Sequence, residues 1–216
     1  MTPLAILGAL RLPSGERWVD VATEEQVADA HAILDPDPDA PRMVLLTRAR
    51  GFSKSTDLGA CALALLIAGD LPHGAHAWAS DLDQARILVD SMRELATASA
   101  DVAAAVSFPS AYRVECRGQM IEARASDAGG AFGLRSDLLM VDELAAWPST
   151  PSALTTWEAI VSTAPKVTGA RFVAITSAGT PSHWSHGVVK GARSSDAWHV
   201  SEIAGPAPWI DPASLE

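Results

Sequence analysis

The chain has 216 residues and a mass of 22.6 kDa, is 48% hydrophobic, and carries a formal net charge of −10 with a pI near 5.0. That length and hydrophobicity exclude a disordered protein and suit one α/β-sized domain with a sizeable core. The acidic balance argues against a freestanding nucleic-acid binder, which needs clustered basic charge, although 13 Arg against three Lys leave room for a local patch.

In chain order, residues 1–22 are of mixed character and read as an N-terminal arm. Residues 22–34 (ATEEQVADAHAIL) place Val27, Ala30, Ile33 and Leu34 at helical spacing behind an N-cap candidate, Thr23. The stretch DPDPDAP (35–41) reads as a stiff acidic turn. Strands and helices then alternate: a strand at Met43–Thr47, a helix at Lys54–Ala68, a strand at Ala75–Ser80, and an Asp81-capped helix at Leu82–Ala98. A strand pair, Tyr112–Cys116 and Met120–Ala125, flanks the turn Arg117-Gly118-Gln119. A short buried strand at Leu138–Val141, a helix at Leu154–Ser162 and strands at Arg171–Thr176 and Ala197–Glu202 complete the pattern. Such alternation predicts a mostly parallel sheet flanked by helices on both faces. The longest apolar run, Leu58 to Ala68, is too short to span a bilayer, and no basic segment precedes an apolar one as in a signal peptide. Cys61 and Cys116 fit no metal spacing and read as buried, reduced thiols.

Three strand ends carry reactive residue types. After the first strand comes TRARGFSKST (47–56), leading directly into a helix. An anion cradle needs backbone N–H groups at a helix N-terminus, a Lys for the β/γ-phosphates and a hydroxyl for Mg²⁺. Gly51 gives the turn, Lys54 the charge and Ser55 the hydroxyl; alone, the degenerate pattern also fits an ordinary strand-to-helix turn with a surface Lys. DLLMVDELAAW (137–147) is an apolar strand ending in Asp142-Glu143, one carboxylate for orienting a metal and the next for polarising water. RFVAITSAGTP (171–181) ends a third apolar strand in Thr176-Ser177, hydroxyls able to sense a terminal phosphate. Together they suit the rule that open parallel sheets bind ligands at their carboxyl ends.

With these segments in place, the sequence resembles the ATPase domain of the large terminase subunit of tailed bacteriophages, the motor that packages DNA into procapsids. The resemblance rests on LLTRARGFSKST as a deviant Walker A, AWASDLDQARILVD (77–90), GLRSDLLMVDELAAW (133–147) as Walker B, VSTAPK (161–166), FVAITSAGTPSHW (172–184) and GPAPWID (205–211). It implies a P-loop NTPase core of the ASCE type over 23–204, with 205–216 beginning a linker. It also implies ATP hydrolysis with Mg²⁺, and double-stranded DNA, a portal protein and a small terminase subunit as partners. The expected assembly is a homo-oligomeric ring, mostly monomeric when isolated, in the cytoplasm of an infected bacterium and away from membranes. Carried over, Lys54 is the Walker A lysine in a nucleotide-binding loop of Arg48, Arg50, Gly51, Phe52, Ser53, Lys54, Ser55 and Thr56. Arg48 or Arg50 would touch phosphate, Ser55 and Asp142 would hold Mg²⁺, and Glu143 would activate water. Thr176 and Ser177 would form the coupling motif, Gln26 would read adenine, and Arg135 would be a catalytic finger acting in a neighbouring subunit.

Two departures stand out. Ser53 replaces the usual loop glycine, which it can do if its φ stays negative. The sequence also stops in what reads as the linker, so no nuclease activity is expected of it. His183 and His186 lack the neighbours a zinc site needs. The alternative reading is a catalytically inactive terminase module that oligomerises or holds DNA; a helicase-like remodeller would want a second ATPase lobe.

Overall fold

The computed structural model describes residues 1–34, 39–126 and 133–210, so most of the predicted acidic turn and the end of the predicted linker lie outside the described residues. Its elements are, in order, α1 (Pro3–Ala9), α2 (Trp18–Val21), α3 (Glu24–Leu34), β1 (Met43–Thr47), α4 (Lys54–Ala68), β2 (Ala75–Ala79), α5 (Leu82–Thr97) and α6 (Ala100–Ala105). There follow β3 (Ser107–Ser110), β4 (Arg113–Cys116), β5 (Gln119–Ala125), β6 (Leu138–Val141), α7 (Pro151–Thr163), β7 (Arg171–Thr176), α8 (Trp184–Arg193) and β8 (Trp198–Glu202).

Among the described residues the strands form one eight-stranded sheet in the order β3-β4-β5-β2-β6-β7-β1-β8. From β5 to β8 all neighbours are parallel, and only the β3-β4-β5 edge is antiparallel. That edge is a hairpin whose turn residues Arg117 and Gly118 both have positive φ, 50° and 80°, the backbone a two-residue turn between twisted strands needs.

The central strands are apolar on both faces because both are covered. Val44, Leu46, Met140, Val173 and Ile175 face a core shared with α1, α3, α4 and α5. Leu45, Leu139, Val141, Phe172 and Ala174 face the opposite core under α7 and α8. Each such Leu or Val side chain contributes about 1.5–3 kcal/mol by leaving water. Helix α4 is buried almost all round, from Leu58 to Leu66, as its unbroken apolar run predicts. Helix α5 buries Ala85, Leu88, Val89, Met92, Leu95 and Ala96, a 3.6-residue stripe, behind the N-cap that Asp81 makes to Gln84 N at 2.9 Å.

Residues 1–22 are better ordered than an arm. Thr2 caps α1, Pro3 opens it, and Leu7 and Leu10 are fully buried against the core that contains α4. Helix α8 escaped the sequence reading because it carries Gly187 and Gly191 and buries only Ser185 and Ala192. Short α6 and β3 escaped for lack of any periodic apolar signal. No helix among the described residues is long and apolar enough to cross a membrane, and both Cys61 and Cys116 are buried free thiols.

Candidate functional site

Strands β6, β7 and β1 are adjacent and parallel, so their carboxyl ends open on one side of the sheet. The β1–α4 loop leaves the sheet after Thr47 and turns through Gly51 (φ 77°) and Ser53 (φ 52°, ψ 17°) into the N-terminus of α4. The expectation that Ser53 keeps a negative φ is therefore overturned. Ser53 adopts the left-handed turn that glycine takes freely, at a cost of about 1–2 kcal/mol. Its carbonyl accepts from Asp57 N at 2.8 Å, which starts the helix.

Lys54 follows, and its ammonium folds back to donate to Arg48 O at 3.2 Å and Ala49 O at 3.1 Å. It also lies 3.7 Å from Glu143 Oε2, with the Lys54 side chain only 7% exposed. Ser55 Oγ donates to Asp142 Oδ2 at 2.8 Å. Asp142 is pinned by backbone bonds, N–H to Trp78 O at 2.7 Å and C=O from Trp147 Nε1 at 3.1 Å. Burial pushes its carboxyl up to about 6, with the neighbouring Glu143 charge adding to the rise and Ser55 and Lys54 opposing it. A cation beside Asp142 would relieve that desolvation.

Glu143 is the second non-glycine at the site with positive φ, 46°. This turn swings its side chain towards β7, where Oε1 accepts from Ser177 N at 2.8 Å and from Ser177 Oγ. Buried Thr176 accepts from Ala145 N at 3.0 Å and donates to Ser177 O at 3.0 Å, tying the two strand ends together. Lys54, Ser55, Asp142, Glu143, Thr176 and Ser177 are thus one connected group. A cleft of about 220 Å³ adjoins it, lined by Thr47, Thr176, Ser177, Ser185, Arg193 and Glu202 among others.

Other candidates fall elsewhere. Arg48 is 3% exposed and its guanidinium is spent on Asp29, on Ser201 O at 2.6 Å and Ser201 Oγ at 2.8 Å, and on Thr47 O at 2.9 Å. In this arrangement its two terminal nitrogens tie α3 and β8 to the base of the loop, a structural role beside the phosphate contact expected from the sequence. Arg50 is exposed on the loop and Thr56 half-buried in α4. Arg135 is exposed and leads into the amino end of β6, whose carboxyl end carries Asp142 and Glu143. Gln26 caps its own helix, Thr23 N donating to Oε1 at 2.9 Å, and reaches α4 through Nε2 to Asp57 Oδ2 at 2.7 Å. His183 uses both ring nitrogens at the start of α8, with Ser185 Oγ at 2.7 Å and Trp147 O at 2.8 Å, a packing role. Phe52 is buried and packs against Trp209, centroids 5.5 Å apart and planes tilted by 59°.

Sequence reasoning passed over Asp57, a carboxylate in an apolar helix and so a visible signal, which burial pushes up to about 6. It also passed over Trp209. Trp209 Nε1 donates to Gly51 O at 3.1 Å, and Ile210 Cδ1 lies 2.9 Å from where a Cβ on Gly51 would be. Gly51 thus needs its missing side chain for space as well as for φ.

The fold is α/β: a mostly parallel sheet flanked by helices, with a Lys-Ser helix start opposite an acidic strand end. Among solved structures it is similar to phage large-terminase ATPase domains. The HK97 bacteriophage large terminase aligns with a TM-score of 0.78 at 17% identity, over 98% of this chain and 46% of that one. The Thermus phage P74-26 large terminase ATPase domain aligns with a TM-score of 0.60 at 16% identity, over 83% of this chain and 80% of that one. The large terminase of a thermophilic bacteriophage, solved in complex with ADP, gives 0.64 at 11% identity, over 84% and 45%. The chain therefore spans under half the length of the HK97 protein. No family model matches the chain, and no curated protein sequence does.

Proposed function

We propose that residues 1–204, with the N-terminal helices included because Leu7 and Leu10 lie in the core, form the ATPase domain of a phage DNA-packaging motor, and that residue 205 begins a linker whose Trp209 and Ile210 pack on the β1–α4 loop. The observation that carries this reading is the connected group at the strand ends, above all Ser55 bonded to Asp142 with Lys54 and Glu143 beside them. Lys54, released from Arg48 O and Ala49 O, would bind the β/γ-phosphates, and the N–H groups opening α4 would complete the cradle. Glu143 would take the proton of the attacking water, and Ser177, with Thr176 behind it, would tell Glu143 whether a terminal phosphate is present.

Ser55 and Asp142 would hold Mg²⁺. Both are hard oxygen donors of the kind that ion takes, and they already lie side by side. Bound there, the ion would offset phosphate charge. Ser53 favours an active site over an inactive module, because its backbone already makes the glycine-like turn. Double-stranded DNA, a portal protein, a small terminase subunit and further copies of the chain are the partners this reading assigns, in the cytoplasm of an infected bacterium.

The test is ATP turnover by the purified chain with and without Mg²⁺, alongside ATP titration calorimetry. Mg²⁺-dependent binding and phosphate release are expected. A folded chain that binds no nucleotide would overturn the reading.

A further inference from the structure

Glu143 holds a left-handed backbone, φ 46° and ψ 55°, without being glycine. Such a conformation is strained and persists only where the surroundings dictate it. Ser177 fixes the carboxylate end of the side chain. The two peptide planes on either side of Glu143 are fixed from elsewhere. The plane after it is held by Ala146 N, which donates to Glu143 O at 2.8 Å. The plane before it is held by Trp147, whose indole Nε1 donates back to Asp142 O at 3.1 Å. A trans peptide is planar, so holding Asp142 O on one side also sets where Glu143 N–H points on the other.

Trp147 is 1% exposed and is itself anchored from α8. His183 Nε2 lies 2.8 Å from Trp147 O. A carbonyl only accepts, so Nε2 carries the proton, and Nδ1 is left to accept from Ser185 N at 3.3 Å. Trp184 packs edge-on against the Trp147 ring, centroids 6.4 Å apart. The turn between Glu143 and Trp147 is pressed against the segment after β7 as well. Ala145 N donates to Thr176 Oγ1 at 3.0 Å, and a Cβ on Gly179 would come within 3.0 Å of Ala145 Cβ. Asp142 keeps a tie of its own, N–H to Trp78 O at 2.7 Å, so its carboxylate should stay beside Ser55 if the indole bond is lost.

We propose that Trp147 is a positioning residue for ATP hydrolysis: its indole holds the Asp142–Glu143 peptide so that the Glu143 carboxylate meets the attacking water, and His183 anchors it from α8. The proposal rests on the reading of Glu143 as the base. It places the effect of both residues on the rate rather than on nucleotide affinity. Their bonds go to Asp142 O, Trp147 O and Ser185, and not to Lys54 or the β1–α4 loop.

The test compares ATP affinity, by calorimetry, with single-turnover phosphate release in the intact chain. Trp147→Phe keeps an aromatic ring and loses the N–H. It should release phosphate about 10- to 100-fold more slowly, as a misplacement of about 1 Å at a reacting group does, while binding ATP within about twofold of wild type. In a Glu143→Gln background the same substitution should cost nothing further, because the group it positions is gone. His183→Ala should slow release in the same way. His183→Gln, whose amide N–H can reach the same carbonyl, should restore most of the rate. This pair carries the test where Trp147→Phe fails to fold. Wild-type release by Trp147→Phe would overturn the proposal. So would a loss of ATP affinity that matches the loss of rate, a loss that adds in full to that of Glu143→Gln, or equal rates in His183→Ala and His183→Gln. A folded wild type that releases no phosphate would remove the ATPase reading and this inference with it.

Discussion

Ser55 Oγ and Asp142 Oδ2 meet at 2.8 Å although 87 residues separate them in the chain. The first opens α4 and the second closes β6, so the bond exists only once β7 has been laid between β6 and β1. It holds a hydroxyl and a desolvated carboxylate side by side, and it fixes where a divalent ion would find its protein oxygens. Asp142→Asn keeps an acceptor for Ser55 but loses the charge. We expect it to weaken the Mg²⁺ dependence of ATP binding, measured by titrating Mg²⁺ at fixed ATP, and a Mg²⁺ response identical to wild type would count against Asp142 as a ligand.

Lys54→Ala should lower ATP affinity by about 10- to 100-fold, since a charge-assisted hydrogen bond is worth roughly 1.5–3 kcal/mol. Calorimetry showing wild-type affinity in this variant would remove the loop from the nucleotide site. The fold should survive, because Lys54 is bonded only to loop carbonyls and faces Glu143.

Glu143→Gln should bind ATP but release phosphate about 10²–10⁴-fold more slowly. The amide still offers an oxygen to Ser177 N, so the site geometry holds while the base is lost. Turnover at the wild-type rate would make Glu143 a bystander.

Arg48→Ala separates a structural from a phosphate-binding role. It leaves Asp29 buried without its guanidinium, and breaking such a pair costs about 3–5 kcal/mol. The expected result is a large fall in the urea midpoint. Unchanged stability with lost ATP affinity would restore Arg48 to the phosphates.

His76 supplies a pH signature. Burial, with the Arg124 charge adding to it, pushes its imidazole down to about 4, and Nδ1 lies 3.1 Å from Ser136 Oγ. The folded chain keeps it neutral while the unfolded chain takes a proton below about 6.5, so the unfolded state binds more protons in between. Stability should fall as pH drops from about 6.5 to 4, by up to about 3 kcal/mol from this group, and be unaffected by it above 6.5. His76→Gln should flatten that part of the wild-type profile in a series of denaturant melts, and an identical slope in both proteins would refute it.

Much of the site was legible in the sequence because it sits at strand ends. Asp142, Glu143, Thr176 and Ser177 lie at or just after the ends of apolar strands, Lys54 and Ser55 open the helix after another, and the parallel sheet does the rest by aligning the strand ends. The structural ties of Arg48 were hidden because its neighbours in the chain are loop residues, while its partners, Asp29 and Ser201, are 19 and 153 residues away. The sign of φ at Ser53 was equally hidden, since it is imposed by where α4 must start. Helix α8 was hidden because Gly187 and Gly191 interrupt its apolar side of Trp184, Val188, Val189 and Ala192, and α1 was too short to show one clearly.

The indole of Trp209 lies on Phe52 and bonds to Gly51 O, yet it is 49% exposed, whereas Trp78 and Trp147 are almost wholly enclosed. An exposed indole emits at longer wavelengths than enclosed ones and is reached first by a dissolved quencher. The chain thus carries its own optical probe on the loop that would meet a nucleotide. Loop rearrangement should appear as a change in that part of the acrylamide-quenchable emission which Trp209→Phe removes, over the contribution of half-buried Trp157, Trp184 and Trp198, without any dye being attached.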